Sequence, residues 1–123
     1  MSERRLMLLH YVTGLGILIT GAVHIWVVFF TVPLDQTIWE TTMLFDDHPF
    51  AILSVYRNAL LASTLWFLLV FTTFHAMNGI RVIIMELIPD ERVTRAAKWL
   101  LIALGVFLVV YGTRTILIAH SIR

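Results

Sequence analysis

The stretch that most constrains the fold of this chain is residues 6–32, which contain no Lys, Arg, Asp or Glu. A helix needs about 20 predominantly apolar residues to cross the hydrocarbon core of a bilayer. The run is longer than that and lacks a small-residue cleavage site in the usual place, so it is interpreted as a retained transmembrane helix. Pro33 follows the run and ends the helix, because proline cannot continue the backbone hydrogen bonds.

Two further apolar segments follow the first. Residues 50–87 exceed the length of one span, and residues 100–118 are long enough for another. Hydrophobic residues make up 59% of the chain and charged residues 14%, whereas soluble domains have about 45–50% and about 25%. The sequence predicts an all-α integral membrane protein with a single membrane domain over residues 1–123. The predicted transmembrane helices cover about residues 6–32, 53–87 and 96–118.

Several functional classes are excluded by what the chain lacks. It has no cysteine, so it cannot form a disulfide or hold a cysteine-ligated iron–sulfur cluster by itself. Its net charge is +1 and it has no basic cluster, so no nucleic-acid partner is expected. It has neither a glycine-rich phosphate loop nor a hydrolytic triad pattern. We therefore predict a subunit that carries electrons and has no catalytic residues or independent activity of its own.

The basic residues predict the orientation in the membrane. Arg4 and Arg5 precede the first helix, and three more basic residues lie in the 88–98 connection, whereas the 35–49 connection has none. Because Lys and Arg concentrate on the cytoplasmic side, the N-terminus and the 88–98 connection are predicted to be cytoplasmic. The expected location is the cytoplasmic membrane of a prokaryote, or the inner mitochondrial membrane of a eukaryote.

Residues 74–86 place polar groups inside the second apolar segment. At about 100° per residue, His75, Gly79 and Glu86 share one helix face. An ionisable side chain is costly in hydrocarbon and therefore indicates a functional site. One interpretation is that His75 ligates a haem iron, with Gly79 leaving room for a flat group. The other is that His75 forms a hydrogen bond between packed helices.

The depths of the histidines in the first helix differ. His10 lies about 6 Å and His24 about 27 Å along the helix from Leu6, since each residue rises 1.5 Å. Because the second helix runs back, His75 is level with His10 and far from His24. His24 and His75 are therefore expected to serve different haems if both bind one. Each depth offers one well-placed ligand, so the second axial ligand is expected from a partner chain.

Residues 10–14 (HYVTG) and residues 75–81 (HAMNGIR), with Glu86, resemble the cytochrome b membrane anchor of succinate dehydrogenase, complex II. The resemblance covers essentially the whole chain, including its length and three spans. It implies a haem b-containing anchor of succinate:quinone oxidoreductase that passes electrons to membrane quinone, either menaquinone or ubiquinone. The implied partners are a second membrane anchor, the iron–sulfur protein and the flavoprotein of the same complex, and the lipid membrane.

The resemblance also implies roles for individual residues. His75 would be the haem b axial ligand, and His10 and Arg81 would lie near the haem propionates. Thr13 and Gly14 would line the haem-facing side of the first helix, next to the cofactor. The number of haems is one or two.

The quinone contacts and the second haem follow from the same resemblance. Glu86 takes the place of an Asp near the quinone. Tyr11 stands where the family usually has Arg, so the quinone contacts differ from the usual pattern. His24 resembles the distal haem ligand of di-haem members. The alternative for His24 is a hydrogen bond between helices.

Three other functions remain open at this point. The chain could be the cytochrome b subunit of fumarate reductase or of another respiratory complex. It could be a small proton-coupled transporter in which His75 and Glu86 relay protons. It could also be a haem-free structural anchor. A haem protein is distinguished from the last two by its visible absorption.

Overall fold

A computed structural model describes residues 2–30 and 59–121, and these form three helices. Helix α1 covers Glu3–Phe30, α2 covers Ala59–Leu87 and α3 covers Glu91–Ser121. All three are long and apolar enough to cross a bilayer. The prediction of an all-α membrane protein with three spans is confirmed.

Two helices begin earlier than the predicted boundaries. Helix α1 begins at Glu3 and not at residue 6, because the Ser2 hydroxyl accepts a hydrogen bond from the Arg5 amide at 3.3 Å. Helix α3 begins at Glu91 and not at residue 96, because the Asp90 carboxylate accepts one from the Arg92 amide at 2.9 Å.

The other helix limits follow from the described ranges. Helix α3 also continues to Ser121, beyond the predicted end at residue 118, and the connection before it shrinks to residues 88–90. The predicted helical residues 31–32 and 53–58 lie outside the described part of the chain.

Helix α2 lies between the other two and runs antiparallel to both. Towards α1, Arg81 meets Glu3. Further along the same interface, Phe71 meets Gly16. Towards α3, Met77 meets Gly105. At the other end of α2, the Trp66 indole donates a hydrogen bond to the Thr113 hydroxyl at 3.0 Å. Along each interface the residue numbers of one helix rise while those of its neighbour fall, so the three helices form an up–down–up bundle.

Most large apolar side chains of the described residues face outward. Val27 and Ala62 are the buried hydrophobic residues, and α3 has no buried residue. In water such a surface would be strongly unfavourable, because apolar area would stay hydrated. Lipid chains and other membrane helices are as apolar as these side chains and remove that cost. The exposure pattern therefore fits a chain surrounded by lipid or by other membrane helices.

Candidate functional site

The polar groups of α1 and α2 meet in one cluster, which we call the two-histidine cluster: Glu3, His10, Thr13, His75, Asn78 and Arg81. The imidazole rings of His10 and His75 stack with their centroids 3.8 Å apart and an interplanar angle of 15°. Thr13, Asn78 and Arg81 are buried, which is unusual in a chain with so small a core. The depth calculation predicts that His10 and His75 are level, and the structure places them in direct contact.

Two acceptors surround Nδ1 of His75. The backbone carbonyl oxygen of His10 lies 3.0 Å from it, and the Thr13 hydroxyl oxygen lies 3.4 Å from it. The Thr13 hydroxyl already donates to the same carbonyl at 3.0 Å, so it can only accept from the ring. Nδ1 of His75 therefore carries the proton, and in a neutral ring the lone pair is on Nε2.

This arrangement has a direct chemical meaning for His75. Histidines that bind metals usually donate their other ring N–H to a carbonyl or a carboxylate, which fixes the tautomer and the ring orientation. Here the His10 carbonyl has that role towards His75. Nε2 of His75 has no hydrogen-bond partner among the described residues. This tautomer leaves a lone pair on Nε2, the kind of atom with which a histidine can bind a metal.

A second chain of hydrogen bonds reaches His10 from Arg81. The Arg81 guanidinium donates from Nε and Nη2 to the Asn78 side-chain oxygen at 3.1 and 3.0 Å. Since guanidinium has no acceptor, this contact fixes which end of the Asn78 amide is oxygen. The Asn78 Nδ2 group then donates to Nδ1 of His10 at 3.2 Å. Because Nδ1 of His10 accepts, the neutral His10 ring carries its proton on Nε2.

The charge of Arg81 is balanced within the chain. Its Nη1 and Nη2 atoms donate to the two carboxylate oxygens of Glu3 at 3.0 and 3.1 Å, a bidentate ion pair. Arg81 is 8% exposed, whereas the Glu3 side chain is 63% exposed. The pair joins the first turn of α1 to the second half of α2. The buried cation is thus paired with a carboxylate that itself remains largely exposed.

The glycines predicted at the site face the two rings. A Cβ atom at Gly14 would lie 3.1 Å from Cε1 of His75, and one at Gly79 would lie 3.6 Å from Cε1 of His10. Each glycine lets the histidine of the other helix approach the backbone. The room beside Gly79 is filled by a flat group, the His10 ring.

Three predicted site residues form no hydrogen bond with the cluster among the described residues, although the Tyr11 ring lies edge-on to the His10 ring with the centroids 6.4 Å apart. Tyr11 and Glu86 are exposed, and Tyr11 has 68% of its surface free. His24 is exposed too, and it lies about 21 Å along α1 from His10 by the helical rise. The structure does not bring His24 to the His75 site. The predicted roles of these residues stay predictions.

Two members of the cluster have no assigned role in the sequence-based prediction, Asn78 and Glu3. Asn78 is three residues before Arg81, a spacing at which helical side chains meet, and this spacing is a usable signal. Glu3 lies in the first turn of α1, before the predicted start of the first transmembrane helix. Its pairing depends on the register of α1 against α2, which the sequence does not give.

A groove of about 420 Å³ lies mainly between α2 and α3, is bordered by Leu6 of α1, and includes Asn78 and Arg81 of the two-histidine cluster in its lining. Its lining is almost entirely apolar and includes Phe74, Met77 and Val106, with Arg81 and Lys98 as its charged members. Among the described residues no group of three or more His, Cys, Asp or Glu could hold a bare metal ion.

Comparisons with known proteins agree with the motifs. Residues 5–113 match the sequence model of a family described as succinate dehydrogenase/fumarate reductase transmembrane subunit. Comparison with curated proteins gives no match, and neither does comparison with solved structures. The family match covers most of the chain. The chain therefore belongs to the family of succinate dehydrogenase/fumarate reductase transmembrane subunits and is an integral, multi-pass membrane subunit of such a complex.

Proposed function

We propose that this chain is the haem b-carrying anchor of a succinate:quinone oxidoreductase and that it passes electrons from the iron–sulfur protein of the complex to membrane quinone. The observation that carries the proposal is the state of His75. Its Nδ1–H donates to the His10 carbonyl at 3.0 Å, which leaves Nε2 as a free ligand atom.

The residues of the cluster fit a haem. A porphyrin supplies four nitrogen ligands, so it needs from this chain one imidazole and not a three-residue metal site. The outward apolar surface of α1 and α2 offers hydrocarbon contact to a macrocycle. When bound, the iron would supply one-electron redox chemistry. A further protein ligand to the haem would come from the other membrane anchor, since His10 has its Nδ1 lone pair occupied by Asn78.

The chain's own residues would orient His75 and control its electrostatics. The His10 carbonyl and the Thr13 hydroxyl hold the ring by Nδ1. A hydrogen bond from Nδ1 of His75 raises the basicity of Nε2, the nitrogen that would bind iron, and a more basic ligand favours oxidised iron. The Glu3–Arg81 pair adds no net charge next to the site. Tyr11 and Glu86, both exposed on the same half of the bundle, would contact quinone together with partner subunits.

His24 would hold a second haem near the opposite face. It is exposed and has no hydrogen bond to another described residue, so the alternative of a bond between helices of this chain has no support in this part of the molecule. A lipid-facing imidazole is costly unless another group covers it. A second haem shared with the partner anchor would cover it.

The test is a reduced-minus-oxidised spectrum with a pyridine haemochrome titration, made on the purified complex and normalised to flavin. We expect two haems per flavin for the native complex, one for His75→Ala and one for His24→Ala. One haem in the native complex that is lost only in His75→Ala would remove the role of His24. Absence of haem, or full retention in His75→Ala, would overturn the proposal.

The reaction direction needs a separate measurement. The family includes both succinate dehydrogenase and fumarate reductase subunits. Comparing succinate oxidation with ubiquinone and fumarate reduction with menaquinol in the same complex decides between them. We expect succinate oxidation to be the faster reaction, and a faster fumarate reduction would favour the fumarate reductase assignment.

A further inference from the structure

We infer that Asn78 is a positioning residue that fixes the tautomer of His10, so that His10 offers an Nε2–H donor to the site and is not an iron ligand. Arg81 acts through Asn78 in this arrangement. The tautomer itself follows from the chain alone. Its consequence for haem rests on the proposed function.

The first step is the saturation of Arg81. Its three nitrogens all donate within the chain: to Asn78 from Nε and Nη2, to Glu3 from Nη1 and Nη2, and to the Met85 sulfur from Nη1 at 3.1 Å. Its charge is already balanced by the Glu3 carboxylate. Arg81 therefore has little left with which to bind another carboxylate, and its main effect on the site passes through Asn78.

The second step is the direction of the Asn78 amide. Two guanidinium donors point at one amide atom, and only the oxygen can accept them. The reversed amide would place an NH2 group against a cation and leave both donors unsatisfied in a buried place, since Asn78 is 5% exposed. The NH2 group is consequently held towards His10.

The third step is the pair of opposite tautomers. The Asn78 NH2 group donates to Nδ1 of His10, so His10 has its proton on Nε2. His75, stacked on it at 3.8 Å, has its proton on Nδ1. The Nε2 nitrogens of the two rings thus differ: Nε2 of His75 has a lone pair, and Nε2 of His10 has a proton. An N–H cannot ligate iron, but it can donate to a carboxylate or carbonyl oxygen of a bound group.

The tautomer is tested without any cofactor in the full chain, labelled with 15N and 13C histidine and reconstituted in lipid bilayers. Magic-angle-spinning NMR distinguishes protonated from unprotonated ring nitrogens, and loss of signals in His10→Phe assigns His10. We expect His10 to be protonated on Nε2 and unprotonated on Nδ1, and His75 to be protonated on Nδ1. A proton on Nδ1 of wild-type His10 would overturn the inference.

The Asn78→Asp substitution should reverse the hydrogen bond to Nδ1 of His10 while nearly keeping the shape of the side chain. A carboxylate accepts from Arg81 and from His10 alike, so we expect a proton to appear on Nδ1 of His10. Nδ1 of His75 should keep its proton, which serves as the internal control for folding. An unchanged His10 in a variant whose His75 signals are intact would show that Asn78 does not fix the tautomer.

The consequence is tested in the complex with His10→Phe, which keeps a ring on the face of His75 but removes both nitrogens. We expect haem per flavin to stay at the native value. A loss equal to that in His75→Ala would make His10 a ligand and overturn this part of the inference. A native complex without haem would instead overturn the proposed function and leave the NMR result valid.

Two measurements on the His10→Phe complex, the haem midpoint potential and the KM for quinone, show which acceptor the Nε2–H group of His10 binds. A more negative haem midpoint potential is expected if Nε2–H donates to a haem carboxylate, because the anion then loses a hydrogen bond that offsets its charge. A raised KM for quinone with an unchanged potential is expected if the acceptor is a quinone carbonyl. If neither quantity changes, the donor has no role at the site.

Discussion

Helix α2 uses different chemistry on its two sides. Towards α1 it presents His75, Asn78 and Arg81, whose side chains form hydrogen bonds across the interface. Towards α3 it presents apolar side chains, and among the described residues one side-chain hydrogen bond, from Trp66 to Thr113, crosses this interface. The same helix therefore joins a polar interface and a packing interface.

The difference indicates which interface sets the register of the bundle. Membrane helices gain little from hiding apolar surface from each other, because lipid is equally apolar. Cross-helix hydrogen bonds and an ion pair have only one good register, whereas apolar contacts have several of similar energy. The two-histidine cluster therefore fixes α1 on α2 and the histidines in their relative positions, while α3 is held by shape.

The largest expected effect comes from removing the charge of Glu3. Glu3→Gln leaves the buried Arg81 cation without its carboxylate, and we expect a loss of about 1–2 kcal/mol. The value is modest because the Glu3 side chain is 63% exposed and solvent screens part of the interaction. The measurement is SDS-induced unfolding of the full chain in mixed micelles, followed by far-UV circular dichroism.

Glu86→Gln is the matched control for this change. Glu86 is an exposed carboxylate of α2, and it has no ion pair among the described residues. We expect it to change the unfolding free energy by less than about 0.5 kcal/mol. Equal effects of the two substitutions would mean that the Glu3–Arg81 pair does not hold α1 to α2.

A smaller effect on the unfolding free energy is expected from replacing one glycine by alanine in each interface, Gly16 towards α2 from α1 and Gly105 towards α2 from α3. A Cβ atom at Gly16 would lie 2.5 Å from the Phe71 ring, whereas one at Gly105 would lie 3.5 Å from Met77, an ordinary contact. We expect Gly16→Ala to destabilise by about 1 kcal/mol, as overpacking exceeds the gain in helix propensity. Gly105→Ala should stabilise by up to about 1 kcal/mol, since alanine favours the helix.

The sign of these two changes is the result that matters, and the same unfolding experiment measures it. If Gly16→Ala were as stabilising as Gly105→Ala, the close approach of α1 to α2 at Phe71 would be absent in the membrane. If both were destabilising, α3 would approach α2 at Gly105 as closely as α1 does at Gly16 and as α3 already does at Gly112, where a Cβ atom would lie 2.5 Å from Leu69. Either result would remove the contrast between Gly16 and Gly105.

The sequence predicts the parts of this fold that depend on length and polarity. Three spans and the level of His10 with His75 follow from apolar run lengths and the helical rise. The early starts of α1 and α3 are missed because their first turns are polar, and only the caps at Ser2 and Asp90 reveal them. Apolarity shows where a helix lies in the membrane, but hydrogen bonding of the first amides decides where it begins.

The sequence predicts which residues belong to the site, but it does not predict the hydrogen bonds and contacts between them. His75, His10 and Arg81 stand out because polar groups are rare in apolar runs. Asn78 links Arg81 to His10, and His10 fills the space beside Gly79. Both contacts depend on side-chain rotamers and on the register of two helices. Neither is contained in the periodicity of one helix. Only the cross-helix geometry shows which nitrogen of each ring carries the proton.

The smallest expected effect concerns the hydrogen bond between Trp66 and Thr113. Trp66→Phe and Thr113→Val each remove one partner of the 3.0 Å contact and keep much of the side-chain shape. A double-mutant cycle should give a coupling of about 0.6 kcal/mol, the usual value for such bonds in membrane proteins. The full chain in mixed micelles is again the sample.

This small coupling is informative because a matching cycle is available across α2. Asn78→Leu and His10→Phe remove the two partners of the 3.2 Å contact on the α1 side. Since Asn78 is buried and also satisfies Arg81, losing either partner leaves polar groups unpaired, and we expect a coupling above about 1 kcal/mol, roughly twice that of the α3 pair. A larger coupling for Trp66 and Thr113 would make α3, and not α1, the helix whose register is fixed by hydrogen bonding.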